Sequence, residues 1–264
     1  MTSDTWDTRW RDYDWRLIRG EPVDPPMNVA LDEVLTRRVG DGSRQPTLRF
    51  WGRYRPEVVI GRFQSVGNEV DEGAAEEMGV EIIRRTTGGG AMFVEPDNII
   101  TYSVYAPLEL VAGMSTVESY AFLDGWVVET FRTLGIEARY EPINDITSTG
   151  GKIGGAAQAR RHGVVLHHTT LSYEMDAARM LRVLRVGKEK LSDKAIKSAE
   201  KRVGPLRRQT QMPREEIVGR MIATFAERAG GRLTEDAVST EELAEAGELV
   251  RDTYGTQTWI YSIP

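Results

Sequence analysis

The fold prediction depends on residues 84–93, which read Arg84-Arg85-Thr86-Thr87-Gly88-Gly89-Gly90-Ala91-Met92-Phe93 and end a predicted strand. A β-branched side chain at any of the three glycines would restrict the backbone. Such a loop can present several amide N–H groups to one anion, with Arg84 or Arg85 neutralising its charge. A glycine-rich turn with surface arginines is the alternative, because the spacing is not that of a Walker or dinucleotide fingerprint. We predict a loop that binds a carboxylate or a phosphate.

A second glycine-rich stretch, residues 149–158, follows Asn144 and Asp145 and contains an isolated lysine, Lys152, among four glycines. An ammonium group in this setting could contact a carboxylate and a phosphate together. It would stabilise the negative charge that builds up when a carboxylate attacks ATP. Taken alone, the pattern favours a flexible turn that the lysine keeps soluble. The presence of two such stretches in one chain favours a site.

The rest of the chain alternates irregularly between strand-like and helix-like patterns. Strands are predicted at 15–18, 47–51, 57–61, 80–84, 99–105, 138–140 and 164–173, and helices at 28–38, 71–78, 117–134, 176–186, 214–228 and 240–254. Asn28 is the predicted N-cap of the first helix, and the strands at 47–51 and 57–61 are predicted to form a hairpin. The strand at 99–105 is predicted to return from the triple-glycine loop. We predict the α+β (α/β) class, with mixed or antiparallel β-sheets flanked by helices.

Composition limits the function classes. The 264 residues include no cysteine, which excludes disulfides, thiolate metal sites and any acyl intermediate on a cysteine. The formal net charge of −6 makes long nucleic acid an improbable partner. The sequence contains no membrane span or signal peptide pattern, so we expect a cytoplasmic protein. A basic segment at 188–208 could meet a triphosphate or an acidic carrier protein, although a solvated helix is the commoner explanation.

Three histidines raise the question of a metal site. His167 and His168 are neighbours in a predicted strand and therefore face opposite sides, and His162 has no matching acidic cluster. We predict no metal ligands and favour His168 as a hydrogen-bonding residue of the site. A structural histidine is the equal alternative, and no Ser-His-Asp triad is assigned.

Together these motifs resemble the biotin/lipoate protein ligase superfamily, and within it the lipoate-protein ligase catalytic domain, over residues 15–259. The stretches at 27–33 and 59–64 resemble its first helix and the strand entering its lipoate pocket, and 84–91 resembles its RRxxGGGAV loop. Asn144-Asp145, the run from Lys152 to Ala157, and His168 reproduce its lysine motif in order. Lys197-Ser198 and Arg202-Val203 resemble its nucleotide-side loop. The resemblance implies a class II aminoacyl-tRNA synthetase/biotin ligase-like fold.

The resemblance implies that the chain activates lipoate with ATP as lipoyl-AMP and transfers the lipoyl group to a lysine of a carrier domain. The carriers would be 2-oxoacid dehydrogenase E2, glycine cleavage H protein or similar domains, and Mg²⁺ is expected with ATP. Lys152 would be the catalytic residue. The implied lipoate-binding residues are Arg84, Arg85, Gly88, Gly89, Gly90, Ala91, Gly155 and His168. The implied nucleotide-binding residues are Arg85, Met92, Phe93, Asn98, Asn144, Asp145, Lys152 and Ala156.

The chain departs from the family pattern in two places. Val94 stands where many members have histidine, and residues 95–98 read Glu-Pro-Asp-Asn instead of Asp-Leu-Gly-Asn. We predict a single catalytic domain, residues 1–264, without the accessory domain of single-chain ligases, and the resemblance implies that a separately encoded accessory protein is a possible partner.

Three other functions were considered. An octanoyl or lipoyl transferase of the superfamily is the nearest, but the branch that holds its acyl group on cysteine is excluded here. A biotin ligase and a non-catalytic lipoate or acyl-adenylate binding module are the others.

Overall fold

The computed structural model describes residues 8–185 and 202–264 as two β-sheets with helices packed on their faces. The strands are β1 Trp15–Val23, β2 Thr47–Arg53, β3 Glu57–Ile60, β4 Glu81–Arg84, β5 Met92–Val94, β6 Ile99–Pro107, β7 Arg139–Glu141, β8 Asp145–Ser148, β9 Gly151–Arg161, β10 Val164–Ser172 and β11 Leu233–Asp236. The helices are α1 Pro25–Gly40, α2 Val66–Glu69, α3 Glu72–Glu77, α4 Thr116–Thr133, α5 Ala177–Val183, α6 Leu206–Gln209, α7 Arg214–Arg228, α8 Thr240–Leu249 and α9 Gln257–Ile260.

The larger sheet has the strand order β11-β1-β2-β6-β10-β9-β8-β7. Strands β11 and β2 run parallel to β1, and every other neighbouring pair in this sheet is antiparallel. In the smaller sheet β3 is central, with β4 parallel and β5 antiparallel to it. Mixed sheets flanked by helices confirm the predicted α+β class.

Helix α1 lies between the two sheets, because it contacts β2, β6 and β10 on one side and β4 on the other. Its apolar residues Val34 and Leu35 are fully buried. The same position buries polar residues, among them Asn28 and Asp32. Buried polar groups need hydrogen-bond partners, so this helix brings a polar network into the interior.

The opposite face of the larger sheet is covered by α4 and α7, which form an aromatic core with the sheet. Trp126 packs against Tyr102 and Phe225 with ring centroids 4.9 and 5.2 Å apart. Helix α4 begins with a capping box, in which Ser115 and Glu118 satisfy each other's backbone N–H groups. This strong local start signal is why the predicted helix at 117–134 is confirmed to within one residue.

Two local predictions are wrong. Asn28 is not an N-cap, because α1 already begins at Pro25, and prolines suit the first turn, where no N–H partner is needed. Asn28 is instead buried and donates from Nδ2 to the Gly52 carbonyl at 2.9 Å. The strands at 47–51 and 57–61 form no hairpin, since β2 belongs to the larger sheet and β3 to the smaller one.

The two glycine-rich stretches also differ from the prediction. The triple-glycine loop returns to β5 in the smaller sheet, whereas the strand at 99–105 is β6 of the larger sheet. Residues 151–155 are not a loop but the beginning of β9, so Lys152 lies on a strand. A β-carbon at Gly154 would lie 2.6 Å from the Thr170 carbonyl oxygen, so the glycine permits close pairing of β9 with β10. None of the helices in the described ranges is both long and apolar enough to cross a membrane.

Candidate active site

A cavity of about 350 Å³ lies between the triple-glycine loop, β5, β9, β10 and the segment that leads into α5. It brings together the two glycine-rich stretches, which are far apart in the sequence. The sequence-predicted residues that line it are Arg85, Gly89, Gly90, Ala91, Met92, Phe93, Asn98, Asn144, Lys152, Gly155, Ala156 and His168. Arg84, Gly88 and Asp145 are not among the lining residues.

Arg84 does not face the cavity, contrary to the prediction for this residue. Its side chain is fully buried, and all three of its nitrogens donate to backbone carbonyl oxygens. Burial lowers the pKa of its guanidinium. The five accepting carbonyls belong to Gly61, Arg62, Gln64, Trp259 and Ile260. Arg84 therefore joins the turn after β3 to α9, which is a structural role.

The triple-glycine loop closes around Arg85, which is 3% exposed. Its Nη2 donates to the Gly88 and Gly90 carbonyls at 2.6 and 2.9 Å. Gly89 has a φ of +91°, and a β-carbon there would lie 2.9 Å from Nη2 of Arg85. Burial lowers the pKa of Arg85 to about 10. The glycine at position 89 is therefore required both by its backbone conformation and by the close approach of the guanidinium.

Lys152 directs its side chain forward along β9, past Gly155, toward Asp145 on the neighbouring strand. Its Nζ lies 2.8 Å from Oδ1 of Asp145, and the two side chains are 46% and 31% exposed. A β-carbon at Gly155 would be 3.4 Å from both of these atoms. A side chain at this position would therefore only just touch the ion pair, and Asp145 holds the ammonium group in place without lining the cavity itself.

Asn144, which directly precedes β8, is hydrogen-bonded to Ala156 of β9. Its Nδ2 donates to the Ala156 carbonyl at 2.6 Å, and its own carbonyl accepts from the Ala156 N–H at 2.9 Å. On the other side, the Lys152 carbonyl accepts from the N–H of Gly204 at 2.8 Å. The backbone of β9 is therefore hydrogen-bonded on both sides, to Asn144 at Ala156 and to Gly204 at Lys152. Lys188, Lys190, Lys194, Lys197 and Lys201 of the predicted basic segment lie outside the described residues, as does Ser198.

His168 belongs to a buried hydrogen-bonded network below the triple-glycine loop. Its Nδ1 lies 3.1 Å from Oδ2 of Asp32, and its Nε2 lies 2.7 Å from Oγ1 of Thr87. Burial lowers the pKa of His168. A neutral ring that donates from Nδ1 to the Asp32 carboxylate leaves Nε2 to accept from the Thr87 hydroxyl. The histidine therefore anchors the loop to α1.

The order hydroxyl, imidazole and carboxylate resembles a nucleophile–base–acid relay. Thr87, however, is only 1% exposed and does not line the cavity, so its hydroxyl cannot reach an acyl carbonyl. The network instead continues to Tyr105 and Arg49, which both contact Asp32. Sequence reasoning missed these residues. A charged residue such as Arg49 inside an apolar strand pattern was the available signal for a buried polar partner.

His167 faces the other side of β10, as its position next to His168 predicts. Its Nε2 lies 2.8 Å from Oδ1 of the buried Asp124. His162 lies in the turn between β9 and β10 with a 45% exposed side chain. Within residues 8–185 and 202–264, no group of three or more His, Asp or Glu side chains is placed to hold a metal ion.

The two departures from the family pattern lie in the wall of the cavity, at the last residue of β5 and in the segment that follows it. Val94 is 2% exposed and packs in the core that β3 and α1 form. Glu95 lines the cavity and accepts from Nε of Arg179 at 2.9 Å and from Nδ2 of Asn98 at 3.2 Å. Val94 therefore packs in this core and also adds an apolar side chain to the cavity wall, and Glu95 adds a carboxylate to this wall.

A family model described as "Lipoyl protein ligase A/B catalytic domain" matches residues 24–226, and the chain belongs to this family. The fold and the cavity are therefore those of an enzyme of the lipoate ligase and transferase superfamily.

Relatives of similar identity have different names. An octanoyltransferase LipM of Brevibacillus brevis is 28% identical, covering 93% of this chain and 98% of its own length. The lipoate-protein ligase A subunit 1 of Thermoplasma acidophilum is 30% identical, with 92% and 94% covered. The solved bi-partite lipoate protein ligase of T. acidophilum has a TM-score of 0.82 at 30% identity, with 95% and 96% covered. A lipoate-protein ligase A bound with ATP has a TM-score of 0.81 at 28% identity, with 95% and 100% covered.

Proposed function

We propose that this chain is the catalytic chain of a lipoate-protein ligase. It activates lipoate with ATP as lipoyl-AMP and transfers the lipoyl group to a lysine of a carrier domain. The observation that carries the proposal is the position of Lys152, whose ammonium group lines the same cavity as the triple-glycine loop. Every other lysine of the sequence lies at residues 188–201, and the other permanently charged basic side chains outside that segment are arginines. A compact ammonium charge is therefore what this position provides.

In the activation step, a carboxylate oxygen of lipoate attacks the α-phosphorus of ATP and pyrophosphate leaves. Negative charge builds up on the phosphate oxygens, and Lys152 stabilises it. The ion pair with Asp145 is partly exposed, so the ammonium group can exchange this partner for the substrate at little cost. The nucleotide would lie near Asn98, Asn144 and Ala156, and Mg²⁺ would enter with ATP, held chiefly by the phosphates.

In the transfer step, the carrier lysine attacks the lipoyl carbonyl carbon and AMP leaves. Lys152 then stabilises charge on the carbonyl and phosphate oxygens, an interaction that strengthens in the transition state. Ala91, Gly155 and His168 would contact the acyl part of the substrate, and their position in the cavity lining supports this.

An octanoyltransferase is the second candidate, because the curated relatives include octanoyltransferases of 26–30% identity over nearly the whole chain. A transferase that holds its acyl group on cysteine needs a residue that this sequence does not contain. Adenylate chemistry requires no covalent enzyme intermediate, which favours the ligase.

We further propose that a second polypeptide takes part in activation and that an E2-like or H-protein-like carrier domain is the acceptor. A relative named as subunit 1 and a solved bi-partite ligase with its E2 lipoyl domain support both statements.

The test separates the two half-reactions. Lipoate-dependent ATP–pyrophosphate exchange is measured with the purified chain, and transfer to a carrier domain is measured from preformed lipoyl-AMP. Lys152→Met removes the charge, and Lys152→Arg keeps it in a different shape. Arg232→Met, which removes an exposed cation paired with Asp14, is the control for one lost charge.

We expect both Lys152 variants to lose at least about a hundredfold in rate, as the loss of a transition-state charge donor commonly does. Transfer without exchange would indicate that activation needs the second polypeptide. Acyl transfer from an octanoyl carrier without ATP would establish the transferase. Wild-type chain that performs none of these reactions would contradict the enzyme assignment and favour a binding module.

A further inference from the structure

The transfer step needs a group that accepts a proton from the acceptor lysine. A lysine side chain has a pKa of about 10.4, so the carrier presents an ammonium group at neutral pH. Its nitrogen must lose one proton before it can attack and a second as the amide forms. Lys152 and Arg85 line the cavity as cations, and His168 is engaged at both ring nitrogens. A carboxylate of the cavity wall is therefore the group that can accept the proton.

Three carboxylates line the cavity in the described part of the chain, and they differ in exposure and in hydrogen bonding. Asp176 is exposed and caps α5 by accepting from the N–H of Arg179 at 3.0 Å. Glu174 has a 55% exposed side chain, 3.9 Å from Arg207. The side chain of Glu95 is only 16% exposed, so solvent screens its charge least. Glu95 is therefore the carboxylate that would act most strongly on a cation inside the cavity.

Two hydrogen bonds hold the Glu95 carboxylate in one orientation. Its Oε1 accepts from Nε of Arg179 at 2.9 Å, and its Oε2 accepts from Nδ2 of Asn98 at 3.2 Å. Each carboxylate oxygen has two lone pairs, so both oxygens keep one acceptor position. The side chain of Arg179 is 41% exposed, so solvent weakens its attraction for the negative charge. Glu95 can therefore accept a further hydrogen bond from a cationic ligand.

The turn that carries Glu95 is also held in place. The N–H of Asn98 donates to the Glu95 carbonyl at 3.3 Å, and the Asn98 carbonyl accepts from the N–H groups of Tyr173 and Glu174 at 2.9 Å. Asp97 has a φ of +64°, a conformation that aspartate tolerates and that glycine, the residue of the family pattern at this position, adopts easily. The turn is therefore tied to the segment after β10 and keeps Glu95 at the cavity wall without a glycine.

Building on the proposed function, we infer that Glu95 is a catalytic residue of transfer, which binds the ammonium group of the carrier lysine and accepts a proton from its nitrogen. One proton leaves the ammonium group to solvent, and the freed lone pair forms the C–N bond to the lipoyl carbonyl carbon. The C–O bond to the phosphate breaks, and its electron pair leaves with AMP. The nitrogen becomes acidic as the C–N bond forms, so Glu95 takes its second proton and passes it to solvent afterwards. Lys152 acts on the leaving group, and Glu95 acts on the nucleophile.

The experiment measures single-turnover transfer from preformed lipoyl-AMP to a carrier domain. Glu95→Gln keeps the size of the side chain and removes its charge and basicity, and Glu95→Asp keeps a carboxylate. Glu174→Gln makes the same change at a more exposed carboxylate of the cavity. Arg179→Met removes the ion-pair partner of Glu95 but leaves the carboxylate in place. Circular dichroism checks that each variant is folded, and calorimetry measures its affinity for lipoyl-AMP.

We expect Glu95→Gln to slow transfer about a hundredfold, as the loss of a general base commonly does, while the affinity for lipoyl-AMP changes little. Glu95→Asp should keep part of the rate. Glu174→Gln and Arg179→Met should each lose far less than Glu95→Gln. In Glu95→Ala, added formate should restore part of the rate, because it supplies a carboxylate in the space that the side chain leaves. A purely structural role of Glu95 would not respond to formate.

A Glu95→Gln variant that transfers as fast as wild-type chain would overturn the inference. An equal loss in Arg179→Met, without recovery of Glu95→Ala by formate, would also overturn it, because the ion pair alone would then matter. A larger loss in Glu174→Gln would assign the proton to that carboxylate instead. The proposed function fails separately: wild-type chain that transfers no lipoyl group from lipoyl-AMP would contradict it, and the inference would fall with it.

Discussion

Replacing Arg84 by methionine tests the structural role that separates this residue from Arg85. The substitution keeps an unbranched aliphatic stem but removes the guanidinium and with it six hydrogen bonds to five buried or partly buried carbonyls. A hydrogen bond from a charged donor contributes about 1.5–3 kcal/mol when one partner is removed. These bonds are not additive, and burial already lowers the pKa of Arg84, so part of the gain is offset by desolvation. We therefore expect a loss of about 3 kcal/mol in the free energy of unfolding.

The assay is urea denaturation followed by tryptophan fluorescence, since the chain has six tryptophans and one of them, Trp259, contacts Arg84 directly. For a chain of this size, the expected loss lowers Tm by about 6–12 °C. Arg55→Met is the matched control, because Arg55 is 45% exposed and its ion pairs and its contact with Tyr54 all lie at the surface. The control should lose far less stability than Arg84→Met, because solvent screens exposed ion pairs. If Arg84→Met were no less stable than Arg55→Met, the structural assignment of Arg84 would be wrong.

Three further predictions follow from the site. Asp145→Asn should change the free energy of unfolding by less than about 1 kcal/mol, because the pair with Lys152 is exposed. This substitution should slow transfer from lipoyl-AMP about tenfold or more, since the ammonium group of Lys152 loses its anchor. A variant that transfers as fast as the wild-type chain would contradict this prediction. Gly89→Ala should weaken lipoate binding about tenfold, because its φ of +91° costs about 1–2 kcal/mol with a β-carbon, and calorimetry would show it. The pKa of His168 is lowered below 6.5 by burial, so the stability linked to its neutral form is complete above about pH 6.5 and is lost as the pH falls through the lowered value. Urea midpoints across this range should fall less steeply in His168→Gln.

Local signals in the sequence predicted much of the secondary structure. The predicted helix at 214–228 is confirmed as α7, and the predicted helix at 240–254 is found as α8 with a following π-helical turn. Strand β11 was missed, because it is short, exposed and at the edge of the sheet, where no apolar alternation is needed. The N-terminus of α1 was misplaced because Asn28 was interpreted as the N-cap, although the two prolines before it suit the first turn of a helix.

The residues of the site could be found from the sequence in part. Lys152 stood out because it is an isolated lysine among four glycines, and the triple-glycine loop stood out because three adjacent glycines follow two arginines. The structure places both in one cavity. The different orientations of Arg84 and Arg85 could not be predicted. Adjacent residues at the end of a strand point to opposite sides, but which side faces the ligand depends on how the smaller sheet packs against its neighbours.

The amino-acid sequence by itself determined the class of fold, most helices, and the two glycine-rich stretches with their single lysine. These features depend on neighbouring residues, namely periodicity, capping and backbone freedom, which act over a few positions. Tertiary structure alone decided that β2 and β3 enter different sheets and that α1 lies between those sheets. It also brought Asp32 to His168, 136 positions away, beneath the loop. Such contacts arise because the apolar faces of the whole chain are buried together. Polar groups that are buried with them then need hydrogen-bond partners, and those partners come from distant parts of the sequence.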